Sequence, residues 1–225
     1  MNFIRNYIKS SALIYPFYIN KIRGLNVVFP DRRTDLHLTG FPRSANTYCK
    51  QLVKEVFSDL QIVTHIHTIS SLKIALRYKA KIVLLLRSPL STTSSMLMKF
   101  SYKNEGEVLY DYIKYHEFVA QNIRNIQIFR FEEVIESPLE LIYFIRSTFG
   151  VNISDSCIEE RLKIAEKKSQ SKEKTKSPLG SSRPNSQREA KKDTYMHSIV
   201  SHRLYPLAEK IYLKLQKQDE ENLYP

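Results

Sequence analysis

The sequence predicts an α/β fold: a three-layer sandwich with a central parallel sheet and a P-loop-like strand-loop-helix. Three observations carry this expectation. Short apolar strands alternate with amphipathic helices over residues 36–150, the order that builds a parallel sheet with helices on both faces. KIVLLL, residues 81–86, is apolar after its first residue, as in a strand buried on both sides. LHLTGFPRSANTYCKQLVKEVF, residues 36–57, has the outline of a strand, a tight glycine-bearing loop and a helix, which is how backbone N–H groups come to cradle phosphate.

The elements follow in order. LHLT is the first strand and a helix runs from about Thr47 to Asp59. LQIVTH is the second strand, followed by a helix over Ser70–Tyr78. KIVLLL is the third, with helices over Ser91–Phe100 and residues 106–124 after it. NIQIFRF is the fourth, and SPLELIYFIRSTFG is a helix begun by Ser137-Pro138 and stopped by Gly150. Residues 1–30 form an apolar and basic segment, expected as a helix broken at Pro16 that packs on the domain or lies on a membrane surface. Residues 31–225 form the α/β domain, with a mobile basic loop at about 166–192.

Composition narrows the class. The chain has 225 residues and a formal net charge of +12, which favours a phosphorylated or polyanionic partner. Residues 161–192 hold 11 Lys and Arg against 3 Glu, so most of the excess sits in one segment. A lid closing on an anion and a plain solvated linker both fit it. Cys49 and Cys157 are far apart and lack C-x-x-C spacing, so they are expected as reduced thiols in a cytoplasmic protein, with no zinc site. No run of 18 apolar residues exists, so no membrane span is expected.

In parallel sheets ligands bind beyond the carboxyl ends of the strands. The first strand runs into Gly40, Phe41, Pro42, Arg43, Ser44, Ala45, Asn46 and Thr47. Against G-x-x-x-x-G-K-[ST], Gly40 and Thr47 match, but Ala45 replaces glycine and Asn46 replaces lysine. The positive charge has moved to Arg43. The third strand delivers Arg87 where a nucleotide hydrolase places an Asp near magnesium. An arginine does not hold a metal, but it forks onto phosphate. Ser95 follows eight residues later. The second strand runs into THIHT, where His65 and His67 suggest a general base. Zinc is the competing reading of that pair, without a third ligand at useful spacing.

These segments resemble the sulfotransferases that use 3′-phosphoadenosine-5′-phosphosulfate (PAPS). GFPRSANTY resembles their 5′-phosphosulfate loop, and LLLRSPLSTTSSM their 3′-phosphate segment. VTHIHT is similar to the strand end that carries their catalytic histidine, and FRFEEVIESPLELIYFIRSTFGV to the strand and helix that follow. The pieces occur in family order over residues 36–151. The resemblance implies an enzyme with PAPS as donor co-substrate and no metal. Ser44, Ala45, Asn46 and Thr47 would hold the 5′-phosphosulfate, Arg43 would contact the bridging oxygen, and Arg87 and Ser95 would bind the 3′-phosphate. His65, as the Thr64-His65 pair, would take the acceptor proton, with His67 the alternative. Tyr48 stands near a frequent tryptophan of the family, and this chain has none. No RKG…GDW segment is present, which leaves Arg183 and Arg188 of the basic loop as candidate donors to the nucleotide. The expected acceptor is a hydroxyl, on a carbohydrate or glycolipid. Two rivals stay open: a P-loop small-molecule kinase or nucleotidase, which needs magnesium, and a nucleic-acid-binding module using the basic loop. The basic loop has no interleaved aromatics, so no nucleic acid is expected as partner. An inactive relative that keeps the fold also remains open.

Overall fold

The computed structural model describes residues 7–64, 66–100, 103–174 and 194–223, with backbone alone for 171–174 and 219–223. Four strands pair in parallel: β1 (Leu36–Gly40), β2 (Ile62–Val63), β3 (Lys81–Leu86) and β4 (Ile126–Arg130), in the order β2-β1-β3-β4. The expected α/β class and parallel sheet are therefore found. Helices on both faces make it three-layered, as the side chains of β3 show. Ile82, Leu84 and Leu86 enter one core with α2 (Ile69–Arg77), α3 (Pro89–Lys99), α4 (Glu105–Gln121) and α8 (Tyr205–Leu223). Val83 and Leu85 enter the other, with Leu36 and Leu38 of β1, α1 (Asn46–Val56), α6 (Leu139–Phe149) and α7 (Asp155–Lys174). The period-two alternation sends successive residues to opposite layers. Each fully buried leucine is worth roughly 1.5–3 kcal/mol relative to exposure.

Local departures have local causes. The second strand was expected over 60–65, but only Ile62 and Val63 pair, with Leu36 and His37 of β1. Beyond them the chain leaves the ladder and brings His67 to the carbonyl of Gly40. A short helix α5 (Phe131–Glu136), not expected from the sequence, follows β4, with Glu132 and Glu133 in its first turn where the helix dipole favours acids. The expected basic loop begins later than residue 166, because α7 continues to Lys174. It is tied to α1 by Arg161 Nη1 donating to the Val56 carbonyl at 2.8 Å and by the Lys168–Glu55 ion pair at 2.7 Å. The rest of that loop, with Arg183 and Arg188, lies outside the described residues. At the N-terminus the expected break at Pro16 falls earlier. Residues 11–13 interrupt the helix, and Pro16 sits inside the new turn Ile14–Phe17, where proline's missing N–H has no intrahelical partner to lose.

Gly40 shows how tightly the site end is built. It pairs with Leu85 in the β1–β3 register. A Cβ there would lie 2.6 Å from the Leu85 carbonyl oxygen and 3.2 Å from Asn46 Oδ1. The strand thus ends in the one residue that lets β3 and the returning helix close on it.

Candidate functional site: an arginine-lined anion site beside a cavity

The loop between β1 and α1 is held in a strained form. Arg43 and Ala45 both have positive φ, 77° and 61°, which costs non-glycine residues roughly 1–3 kcal/mol each. Such strain persists where the surroundings over-determine it, often at a binding site. Asn46 is one restraint. Its Nδ2 donates to the Phe41 carbonyl at 3.2 Å and to that of Gly40 at 3.5 Å. This amide occupies the lysine position of a nucleotide-binding loop and braces the loop from within. Ala45 precedes α1 as its N-cap and offers no side-chain cap. The helix start therefore presents backbone N–H groups and a positive dipole end suited to an anion. Ser44 is fully buried, and its hydroxyl, like Asn46 Oδ1, has no hydrogen-bond partner among the described residues. Thr47 is exposed and Tyr48 half-buried in the first turn.

The motif from the third strand meets this loop directly. Arg87, just past β3, donates from Nη1 to the Arg43 carbonyl at 2.6 Å. Arg43 in turn donates from Nε to Ser95 Oγ at 2.9 Å. Ser95 is buried on α3, which starts at Pro89 after a Ser88 cap and runs beside the loop. Two segments some 50 residues apart in the sequence thus join through two arginines and the Ser95 hydroxyl. Sequence reasoning did not find what positions Arg87. Its guanidinium lies 3.9 Å from the centre of the Phe131 ring, and its carbonyl accepts from Tyr112 Oη at 2.8 Å. Phe131 stood in the quoted FRFEE segment. An aromatic that follows a strand beside an arginine-bearing one is the signal that would have located it.

The histidines separate. His67 lies against the loop, with 2.7 Å between Nδ1 and the Gly40 carbonyl oxygen. A carbonyl only accepts, so Nδ1 carries the proton and the basic lone pair is on Nε2. His65 lies outside the described residues. His37 and His116 are fully buried, and desolvation pushes both down to about 4. They remain neutral core groups. His37 has Val63 O and Ser71 Oγ at 3.3 Å, and His116 Nδ1 contacts the Tyr112 carbonyl at 2.9 Å.

A cavity of about 350 Å³ adjoins the loop, walled by Phe41, Pro42, His67, Met96, Tyr110 and Tyr115 among others. Its size is that of a small-molecule site. Phe41 and Pro42 belong to the loop between β1 and α1 itself, so cavity and loop share a wall. Among the described residues, no group of three or more His, Cys, Asp or Glu is placed to hold a metal ion. Both cysteines are free, and burial raises the Cys49 thiol.

Comparison with known proteins gives likenesses among solved structures. The chain is similar to a crystal structure of mouse sulfotransferase SULT7A1 complexed with PAP, with a TM-score of 0.50 over 86% of this chain and 91% of that one. The fold is sulfotransferase-like. Sequence identity in that comparison is 13%, so the likeness speaks for the fold. No family model matches the chain, and no curated protein matches it. In this chain the loop after β1 and the arginine after β3 stand at the ends of neighbouring strands. Here they join through Arg43, Ser95 and Arg87.

Proposed function

We propose that this protein is a sulfotransferase that moves a sulfuryl group from PAPS to a hydroxyl acceptor. One observation carries the reading: the phosphate-type loop and the strand-end arginine form a single cluster, Arg43–Ser95 and Arg87–Arg43. That cluster offers two guanidinium groups for a nucleotide anionic at two ends, at a position where a magnesium nucleotidase has an aspartate. The buried, unpartnered Ser44 hydroxyl, which can donate, suits a site whose acceptor arrives with an anionic ligand.

In this scheme the acceptor oxygen attacks sulfur while the bond from sulfur to the bridging oxygen breaks. The acceptor proton goes to a histidine, and adenosine 3′,5′-bisphosphate leaves. Transfer of this kind depends on positioning and on stabilising the leaving charge. Arg43 and the start of α1 take the charge building on the leaving phosphate, and Arg87 with Ser95 holds the 3′-phosphate. The base is one of the histidine pair. The Thr64-His65 dipeptide supports His65, and a place in the cavity wall beside the Gly40 carbonyl supports His67. The acceptor occupies the adjoining cavity, where the exposed Tyr110 offers a flat face with a polar tip. That lining suits a sugar hydroxyl, on a glycan or glycolipid.

The test is release of adenosine 3′,5′-bisphosphate from PAPS in the presence of EDTA, with a panel of sugar and lipid hydroxyl acceptors. Acceptor-dependent release with label on the acceptor supports the reading. Magnesium-dependent ATP turnover, with no reaction of PAPS, overturns it in favour of a kinase or nucleotidase.

A further inference from the structure

Residues 1–30 contain no Asp or Glu, while Lys9, Lys21 and Arg23 lie among their apolar side chains. The structure keeps several of those side chains out of the core. Leu13 is 75% exposed, Phe17 60%, Ile22 63% and Val28 73%, with Leu25 at 50%. They are arranged rather than scattered. Leu13 and Phe17 are one α-turn apart, and the π-helical turn Tyr18–Ile22 then carries the chain one wider turn, so Ile22 follows on the same side. Gly24, at φ 62°, reverses the chain. Asn20 fastens the reversal by accepting from Val27 N and donating to Val27 O, both at 2.8 Å. Tyr15 packs edge-on against Phe29 at 5.9 Å on the inner side. The exposed apolar groups therefore sit on a braced turn that also carries exposed Lys21 and Arg23.

We propose that residues 13–28 form a docking surface for an anionic lipid bilayer. The proposal goes beyond the reaction above and holds whether or not that reaction does. A bilayer is the occupant that fits both features. Aliphatic and aromatic side chains enter the boundary between headgroups and acyl chains, and the basic groups meet the anionic headgroups. A segment without a carboxylate meets no repulsion there. The same segment contributes Tyr7, Lys9 and Ser10 to the cavity wall, with Lys9 paired to Asp111 at 3.6 Å. Among the described residues, no helix is long and apolar enough to cross a membrane, so the contact proposed is with the surface.

The test uses the full chain without donor and two kinds of vesicle: phosphatidylcholine with phosphatidylserine at a ratio of about 3:1, and phosphatidylcholine alone. Co-sedimentation is expected with the first, weakened by salt as the screening length falls. The double variants Phe17→Ser/Ile22→Ser and Lys21→Ala/Arg23→Ala are each expected to weaken it about tenfold or more. All four residues are exposed, so the unfolding midpoint is expected to stay put. Since the chain has no tryptophan, Phe17→Trp supplies a single fluorophore whose emission is expected to shift blue on the anionic vesicles. Equal sedimentation with both vesicles, none with either, wild-type binding by both double variants, or an unshifted emission from the Phe17→Trp variant overturns the proposal. So does a dimer in sedimentation velocity that Phe17→Ser/Ile22→Ser dissolves, because the apolar surface then serves a second copy.

Discussion

Arg87→Ala separates the two ends of the proposed nucleotide site. In the structure Arg87 braces the Arg43 carbonyl through Nη1 and lies over Phe131, while its own carbonyl is held by Tyr112. Alanine keeps the last contact and loses the first two. Loss of the brace removes about 1 kcal/mol of loop support, felt by every ligand of the loop as roughly a fivefold rise in Kd. Loss of the charge-assisted contact to a 3′-phosphate removes about 1.5–3 kcal/mol more, felt only by ligands that carry that phosphate, as roughly a further 10–100-fold. Isothermal titration of adenosine 3′,5′-bisphosphate and of AMP, each with wild type and variant, reads the two contributions separately. The bisphosphate is expected to lose far more than AMP. Arg87→Lys is expected to fall between, since it keeps charge but not the fork or the stack on Phe131. Equal losses for both ligands would refute the assignment of Arg87 to the 3′-phosphate and leave it a brace of the loop alone.

Three further outcomes follow from the same geometry. Ala45→Gly relieves a positive φ of 61°, so it is expected to raise stability by about 1 kcal/mol in urea unfolding; a loss would mean the methyl group packs favourably. His37 and His116 have imidazoles pushed from 6.5 down to about 4 by burial. Because their folded values lie below their unfolded ones, their contribution is fully present above pH 6.5 and is lost as pH falls towards 4, by up to about 3 kcal/mol each. Urea midpoints that stay flat from pH 6.5 to 4.5 would show both rings to be solvated. In the transfer assay, either His65→Ala or His67→Ala is expected to lower kcat about 10²–10⁴-fold with bisphosphate binding intact. If both variants turn over normally, the base lies elsewhere.

The sheet was legible because its signals are local. KIVLLL became a strand buried on both faces with the expected bounds, and Gly150 ended α6 in the left-handed conformation that glycine favours. The second strand was overread because LQIVTH has strand composition throughout, whereas its pairing is limited by how much of β1 it can reach. The candidate site was legible in its residue types and not in its joins. Arg43, Arg87 and Ser95 stood out singly. That Ser95 would meet Arg43 depends on where α3 begins and how it lies, which are tertiary facts. The stack on Phe131 and the Tyr112 bond are of the same kind. Phe131 had a signal in its place after the neighbouring strand, whereas nothing local marks Tyr112, since tyrosine is common in this sequence. Nor does composition show that Asn46, in place of lysine, turns its amide inward to hold the loop.

In the proposed function the site grips an adenine nucleotide at two anionic ends with arginine rather than with magnesium. Titration of adenosine 3′,5′-bisphosphate, ADP and ATP, each with magnesium and with EDTA, tests it most directly. The bisphosphate is expected to bind at least about tenfold more tightly than ADP, with no dependence on the metal. Tighter binding of ATP that requires magnesium would contradict it.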